Sequence, residues 1–519
     1  MITLAKVGRY IAAMRYNDSL RDGCPYCVKN RLTLFSMITG DNMPITGETE
    51  SQLVLRLNNY NQPNSIIVTN ITDDPDYIIS TPVPDCPYCS SFSHNEFYTK
   101  KDSFIPADNW SSGHFCEERS TKATSFVDDM QNYMGSVGIM TRPTQQQFAP
   151  NGISFWNSVQ LLSSDITSFE VAGGKGNKES DIIASCVGEG LERYAIAASS
   201  CMSNVIASYE DIHSFAVDPI EEWGLPARQE SLGIAPYTHQ TKIRWIEVEQ
   251  IRGNNIEHLL VPSDMMLPHS RNGAPCLPVF LGSSNGTAAG SDIQSASIQA
   301  MLELIERDAF WFYCRTTASP FAVPCKYIPE RILRIMDSNP DIKYIFETLP
   351  NPFDIPVVQV LAIDQCSQTA KSARGTGAAF NLSDAIERAF NECNQMITSL
   401  RTAARIDSAT DMRSIWFSGE AEKIFANLFH PVQQERIPDP ATVSSDAFSY
   451  LTNKFDEQKL NVYRIPLWNT VHSSVVKCIA TNIAPCDSTY FTNSNRLEDF
   501  AKAMGFNIHR STYTGSLFM

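Results

Sequence analysis

The chain has 519 residues, 43% of them hydrophobic and 19% charged, with a formal net charge of -16. That length supports one large domain plus a smaller one, and the composition excludes a disordered or collagen-like chain. The acidic balance excludes a general nucleic-acid binder, which needs clustered lysine and arginine to neutralise phosphates.

Charges interrupt the N-terminal segment MITLAKVGRYIAAMRYNDSLRDG too often for the apolar core of a signal peptide. No run of about 18 apolar residues follows it, so neither export nor a membrane span is expected, and a cytoplasmic setting is. There the 14 cysteines are expected as buried thiols or metal ligands, not as disulfides.

Residues 1–125 are rich in Asn, Asp, Ser and Pro and carry two C-P-Y-C clusters, Cys24 with Cys27 and Cys86 with Cys89. Two such pairs suit a tetrahedral Zn2+ site, structural because four thiolates leave no coordination position open to water. The halves stand further apart than in a zinc ribbon, and the competing reading is four unrelated thiols or a redox pair. The repetition of the same inner residues favours zinc, and a small polar module gains much from such a staple. His94, His114 and Cys116 read as ordinary loop residues. The polar stretch from Pro106 to Lys122 reads as a linker or ordered loop. The chain thus divides into a small zinc-binding module, 1–125, and a large domain, 126–519.

In the large domain, four apolar runs read as strands: IRWIEVEQI from Ile243, PVFLG from Pro278, PVVQVLAID from Pro356 and NVYRIPLW from Asn461. Helical periods alternate with them, which suggests an α+β or α/β domain, and of the two an α+β fold is expected. Within it a strand–glycine loop–helix unit recurs. GEGLERYA around Glu189 and LELIERDA around Glu303 share the pattern E-x-x-E-R-x-A, and AIERAFNECNQ from Ala385 is a looser relative. Each helix follows a glycine segment: GGKGNK from Gly173, SSNGTAAG from Ser283 and ARGTGAAF from Ala373. A glycine loop before a helix start places unpaired N–H groups where an anion can bind. None of the three matches the P-loop pattern.

Steps of four and then three residues keep side chains on one helical stripe. The polar stripes are Ser185, Glu189 and Glu192; Gln299, Glu303 and Glu306; and Arg388, Glu392 and Gln395. Apolar stripes run beside the first two, through Ile183, Val187, Leu191 and Tyr194 and through Ile298, Leu302, Ile305 and Ala309, so each helix can enter the core while aiming carboxylates elsewhere. If the helices line one cavity, Glu189, Glu192, Glu303 and Glu306 need cations to coexist. Hard oxygen ligands suit Mg2+, which usually shares its shell with substrate phosphates, and Lys175 and Arg388 could neutralise the phosphate oxygens. A solvated helix face with Arg193 and Arg307 in local ion pairs is the competing reading. A di-iron bundle is set aside because neither helix has the Glu-x-x-His pair.

On the segments GGKGNKESDIIASCVGEGLERYA, SSNGTAAGSDIQSASIQAMLELIERDAF and GTGAAFNLSDAIERAFNECNQ, in this order, the chain resembles the YcaO family from about Phe126 onward. The resemblance implies an ATP site at Lys175, Ser185, Glu189, Glu192, Asn285, Glu303, Glu306, Arg388, Glu392 and Gln395, with Mg2+ at the first four glutamates of that set. It implies that ATP is a kinase substrate: a Cys, Ser or Thr side chain of a ribosomally made precursor peptide adds to the preceding amide, the oxyanion is phosphorylated, and elimination leaves an azoline ring. Azoline-forming members end in a proline-rich tail, whereas this chain ends STYTGSLFM. Thioamide or amidine formation, or a non-catalytic scaffold subunit, are therefore the alternatives.

GCPYCVKNR looks like the zinc-bearing end of a ubiquitin-activating-like protein, a frequent partner or fusion of YcaO chains. The stretch is too short to hold a complete one, so a separate leader-binding protein of that type is expected. The resemblance further implies a precursor with a Cys/Ser/Thr-rich core, as in bacteriocin maturation, and leaves room for a flavin dehydrogenase and a homodimer.

Overall fold

The computed structural model describes residues 2–16, 23–89, 115–199, 205–224, 235–267, 279–280, 282–402, 412–433 and 447–481, less 41, 63–64, 148, 254, 317 and 367–370, with 483, 498–499, 501–502 and 505 in addition. His94, His114, the first half of the expected linker and the C-terminal STYTGSLFM lie outside them, as does any account of the Cys116 side chain.

The chain begins as a hairpin: β1 (Ile2–Val7) and β2 (Tyr10–Arg15) pair antiparallel around Gly8, whose φ of 56° suits the tight turn. With β3 (Ile66–Thr69) and β4 (Ile78–Ile79) they form a sheet in the order β1-β2-β3-β4. Alternation along β2 serves two cores. Tyr10, Ala12 and Met14 pack with Val28, Leu32 and Phe35 of α1 (Pro25–Thr39), while Ala13 packs with Leu53 and Leu57 of α2 (Glu50–Asn58). Pro25 opens α1, and Thr49 with Gln52 forms a capping box at the start of α2.

Residues 115–122, expected as linker or loop, instead belong to α3 (Phe115–Met130), which also runs across position 125. The apolar residues that hold it, Phe126 and Met130, fall late in the helix. They join Val187, Leu191 and Tyr194 in one core, so the polar first half is helical by continuity with a packed second half. No described helix is long and apolar enough to cross a membrane.

Three further sheets follow. β5 (Thr144–Gln145), β6 (Trp156–Leu161) and β7 (Phe169–Gly174) make the first. The six-stranded second begins with β8 (Val205–Ala207), β9 (Ile243–Arg252), β10 (Asn255–Pro262) and β11 (Thr287–Gly290). β12 (Phe321–Ala322), β13 (Ile342–Thr348), β14 (Val357–Asp364) and β15 (Ser372–Ala378) form the third, in that order. The late hairpin β16 (Val462–Asn469) and β17 (Ser474–Ala480) completes the six-stranded sheet by bridging β9 to β11. All named strand pairs are antiparallel and helices cover the sheets, which is the expected α+β class. Of the four expected strands, PVFLG is corrected. Val279 and Phe280 lie in a bend, where the Val279 N–H is taken by the Asp264 carboxylate at 3.3 Å instead of a ladder partner.

β7 leads into α4 (Glu179–Ser199), β11 into α5 (Ile293–Arg315) and β15 into α6 (Leu382–Thr402), so the repeated unit is real. Its glycines play a different part from the one expected. They are largely strand, not loop, and they let each helix lie directly on its strand. A Cβ on Gly174 would stand 2.0 Å from the Ile182 carbonyl oxygen, one on Gly290 2.6 Å from the Ala296 nitrogen, and one on Gly375 2.1 Å from the Cys393 nitrogen. Side chains take an N–H at two of the helix starts. Asp292 caps the Ser295 N–H of α5 at 2.7 Å, and Asn381 caps the Asp384 N–H of α6 at 2.9 Å.

Candidate functional site

In each unit the first acid of the polar stripe reaches back to its own strand or, in the second unit, to the turn that opens it. Glu189 accepts the Gly173 N–H at 3.0 Å, Glu303 the Gly286 N–H at 3.1 Å and Glu392 the Thr376 N–H at 3.1 Å. The residue three positions later reaches the strand of the next unit. Glu192 accepts the Ala289 N–H at 2.6 Å; Glu306 accepts the Thr376 hydroxyl at 2.6 Å and the Ala378 N–H at 3.2 Å. The third unit closes the ring, because a Cβ on Gly173 would stand only 2.2 Å from Gln395 Nε2. Three helices are thus tied to one another's strands by their stripe residues.

Cations and burial set the charges there. Burial pushes the Glu192 carboxyl up to about 8 against the Ala289 N–H, with Glu303 and Glu189 adding to the rise. Burial also raises Glu306, opposed by Arg307 and reinforced by Glu392. Burial would raise Glu392 as well, but Lys175, Arg307, the Thr376 amide and Arg374 together hold it below the ordinary carboxylate value. Arg193 pairs with Glu189 at 2.6 Å and Glu170 at 2.8 Å, and Arg307 with Glu303 at 3.2 Å and Glu306 at 3.3 Å. The local ion pairs of the competing sequence reading therefore exist, but on a half-buried surface where the second carboxylates are only partly exposed. Carboxylate oxygens are the donor type that Mg2+ takes, and Lys175, Arg307 and Arg374 offset part of their charge here.

Lys175 Nζ stands 3.6 Å from Glu392 Oε2, Arg388 Nη1 donates to the Ala378 carbonyl at 3.1 Å, and Ser185 lies half-buried one turn before Glu189. Asn285 sits in the turn from Ser284 to Thr287, closed by the Thr287 N–H on the Ser284 carbonyl at 2.9 Å. Sequence reasoning missed three residues of this constellation: Arg307 as a bridge between two stripe acids, Thr376 as a donor to both Glu306 and Glu392, and Lys477. The last has a signal in retrospect, a single charge inside the apolar strand Ser474–Ala480.

The four cysteines meet at one point. Sγ separations are 3.8 Å for Cys24 and Cys27, 3.6 Å for Cys24 and Cys86 and 3.4 Å for Cys27 and Cys89, and all four sulfurs lie within 4.8 Å of one another. A tetrahedron with Zn–S of about 2.3 Å has edges of about 3.8 Å, so the donor set and its size fit zinc. The cluster is not remote from the acidic centre. The Tyr194 hydroxyl of α4 donates at 3.0 Å to the Pro82 carbonyl, and Arg31 holds the Thr81 and Pro82 carbonyls at 2.7 and 3.0 Å, between the two cysteine pairs.

Residues 173–483, more than half of the chain, match a family profile described as YcaO cyclodehydratase, ATP- and Mg2+-binding. An uncharacterized protein of Methanothermobacter thermautotrophicus is 24% identical over 174 residues, 34% of this chain; the match spans 42% of that relative's length. A heterocyclase in complex with substrate and cofactor has the same fold at a TM-score of 0.72 and 18% identity, over 97% of this chain and 75% of its own. YcaO from Methanopyrus kandleri, bound with AMPPCP and Mg2+, aligns at a TM-score of 0.51 and 18% identity, over 72% of this chain and 94% of its own.

Proposed function

This chain belongs to the YcaO family, and from that membership we propose that it uses ATP and Mg2+ to activate backbone amides of a ribosomally made precursor peptide, forming azoline rings by cyclodehydration. The observation that supports the reading is the series of stripe-to-strand contacts made by Glu189, Glu192, Glu303 and Glu306.

In this reading those four carboxylates hold Mg2+, which supplies charge compensation for the triphosphate. Lys175 and Arg388 stand beside the phosphate oxygens, and Ser185, Asn285, Glu392 and Gln395 complete the nucleotide pocket. The attacking Cys, Ser or Thr side chain adds to the preceding amide carbon; the oxyanion takes the γ-phosphoryl group, and its loss as phosphate leaves the ring. Residues 1–125 serve as the zinc-stapled docking module, zinc being held by Cys24, Cys27, Cys86 and Cys89. A ubiquitin-activating-like protein presents the leader. Calorimetry of ATP binding with and without Mg2+ tests the metal site: affinity should fall at least about tenfold in chelator, because four carboxylates repel a bare triphosphate. Equal affinity would remove the four glutamates as metal ligands.

A further inference from the structure

Lys477 is a fully buried ammonium, 1% exposed, at the middle of β17. Among the described residues its hydrogen-bond partners are two backbone carbonyls of one turn: Nζ donates to Ser283 at 2.6 Å and, by a still shorter contact, to Asn285. The Asn285 carbonyl belongs to the same peptide plane as the Gly286 N–H, which donates to Glu303 at 3.1 Å. A single amide is therefore held between a cation and a carboxylate, an arrangement in which each hydrogen bond polarises and strengthens the other. The backbone seals it. The Cys478 N–H donates to the Gly286 carbonyl at 2.7 Å, and a Cβ on Gly286, whose φ is +76°, would stand 2.2 Å from the Cys478 carbonyl oxygen.

The repeat shows how particular this is. In the first unit the equivalent peptide gives the Gly173 N–H to Glu189, while its carbonyl, that of Ala172, takes the Cys186 thiol at 3.6 Å within the β6–β7 ladder. In the third unit the peptide before Thr376 lies in the β14–β15 ladder. In the second unit, therefore, the backbone donor of Glu303 is backed by the buried Lys477 ammonium. Burying an ammonium against carbonyls alone is costly, so the packing of an apolar strand does not account for it.

We propose that Lys477 is a positioning residue of the nucleotide site: its ammonium fixes the Asn285–Gly286 peptide, and through it the carboxylate of Glu303 and the placement of Asn285. This rests on the nucleotide-binding reading above. The test uses the full chain and compares Lys477→Met with Val462→Ala, a cavity in the neighbouring strand β16 away from the turn. Amide hydrogen exchange over 283–287 and MgATP affinity by calorimetry are measured beside thermal unfolding. Loss of a charged hydrogen-bond pair should speed exchange in that segment and weaken MgATP binding, each by about tenfold or more. Val462→Ala should lower the melting temperature and change neither. If both variants behave alike, or if Lys477→Met keeps wild-type exchange and affinity, Lys477 is a core residue only and the proposal fails. Should the methionine variant not fold, Lys477→Gln, which keeps N–H donors without the charge, is read the same way. If the wild type binds no nucleotide, the functional reading falls, while the exchange comparison still decides whether Lys477 holds the turn.

Discussion

Replacing Glu306 by Gln separates catalysis from folding. The carboxylate accepts the Thr376 hydroxyl at 2.6 Å and the Ala378 N–H at 3.2 Å, and faces Arg307 at 3.3 Å. A glutamine of the same shape can offer its carbonyl to the Ala378 N–H and donate its amide to the Thr376 oxygen, leaving the Thr376 hydroxyl hydrogen to turn to another acceptor. Arg307 keeps Glu303 as a counter-ion at 3.2 Å. Burial already disfavours the charged form of Glu306, so removing the charge should change stability by no more than about 1 kcal/mol. The same substitution removes one of the four charges proposed to hold Mg2+ against the phosphates. Loss of one electrostatic stabiliser of a transition state costs about 3–4 kcal/mol, a fall in rate of about a hundredfold or more. ATP turnover, read as phosphate release with a Cys/Ser/Thr-rich precursor and its leader-binding partner, should drop by that factor while the melting temperature stays close to wild type. Full turnover by Glu306→Gln would refute the metal role. Unfolding would refute the geometric account of why the swap is tolerated.

Two more outcomes follow from the same geometry. Glu192 is raised from 4.5 to about 8 by burial and its neighbours, so between those values the folded metal-free protein binds more protons than the unfolded chain. Its stability should therefore fall as pH rises through that window, by at most about 1.4 kcal/mol per pH unit from this group, and Glu192→Gln should flatten the slope in denaturant titrations; an unchanged slope counts against a buried carboxyl there. Metal analysis should find about one zinc per chain in the wild type and little in Cys24→Ser, with a melting temperature lower by at least about 5 °C; carefully purified wild type without zinc would end that assignment.

Much of this centre is written in local spacing. The steps from Glu189 to Glu192 and from Glu303 to Glu306 place two acids on one helical stripe whatever the rest of the chain does, because helix geometry alone sets that relation. The apolar residues beside them, Val187 and Leu191 or Leu302 and Ile305, are buried for the same reason. The two C-P-Y-C clusters likewise announce four thiolates of one chemistry. Their distance in sequence, however, hides the fact that Cys24 and Cys86 close to 3.6 Å, and that Tyr194 of the first acidic helix bonds Pro82, next to the Val83 N–H that donates to Cys27.

Tertiary structure alone decided which strand each acid meets. Glu192 bonds Ala289 and Glu306 bonds Ala378 because three units pack in a ring, and no local period encodes a partner some 70 to 100 residues away. The glycines were legible as special but not for the right reason. A glycine that frees a loop and one that lets a helix touch its strand look alike in one dimension, and only the close approach of Ile182 to Gly174 or Cys393 to Gly375 tells them apart. Lys477 shows the limit most sharply. In sequence it is one charge in an apolar strand; in three dimensions it is a cation clamped on the peptide that holds Glu303, because only folding brings Ser283 and Asn285 to its ammonium.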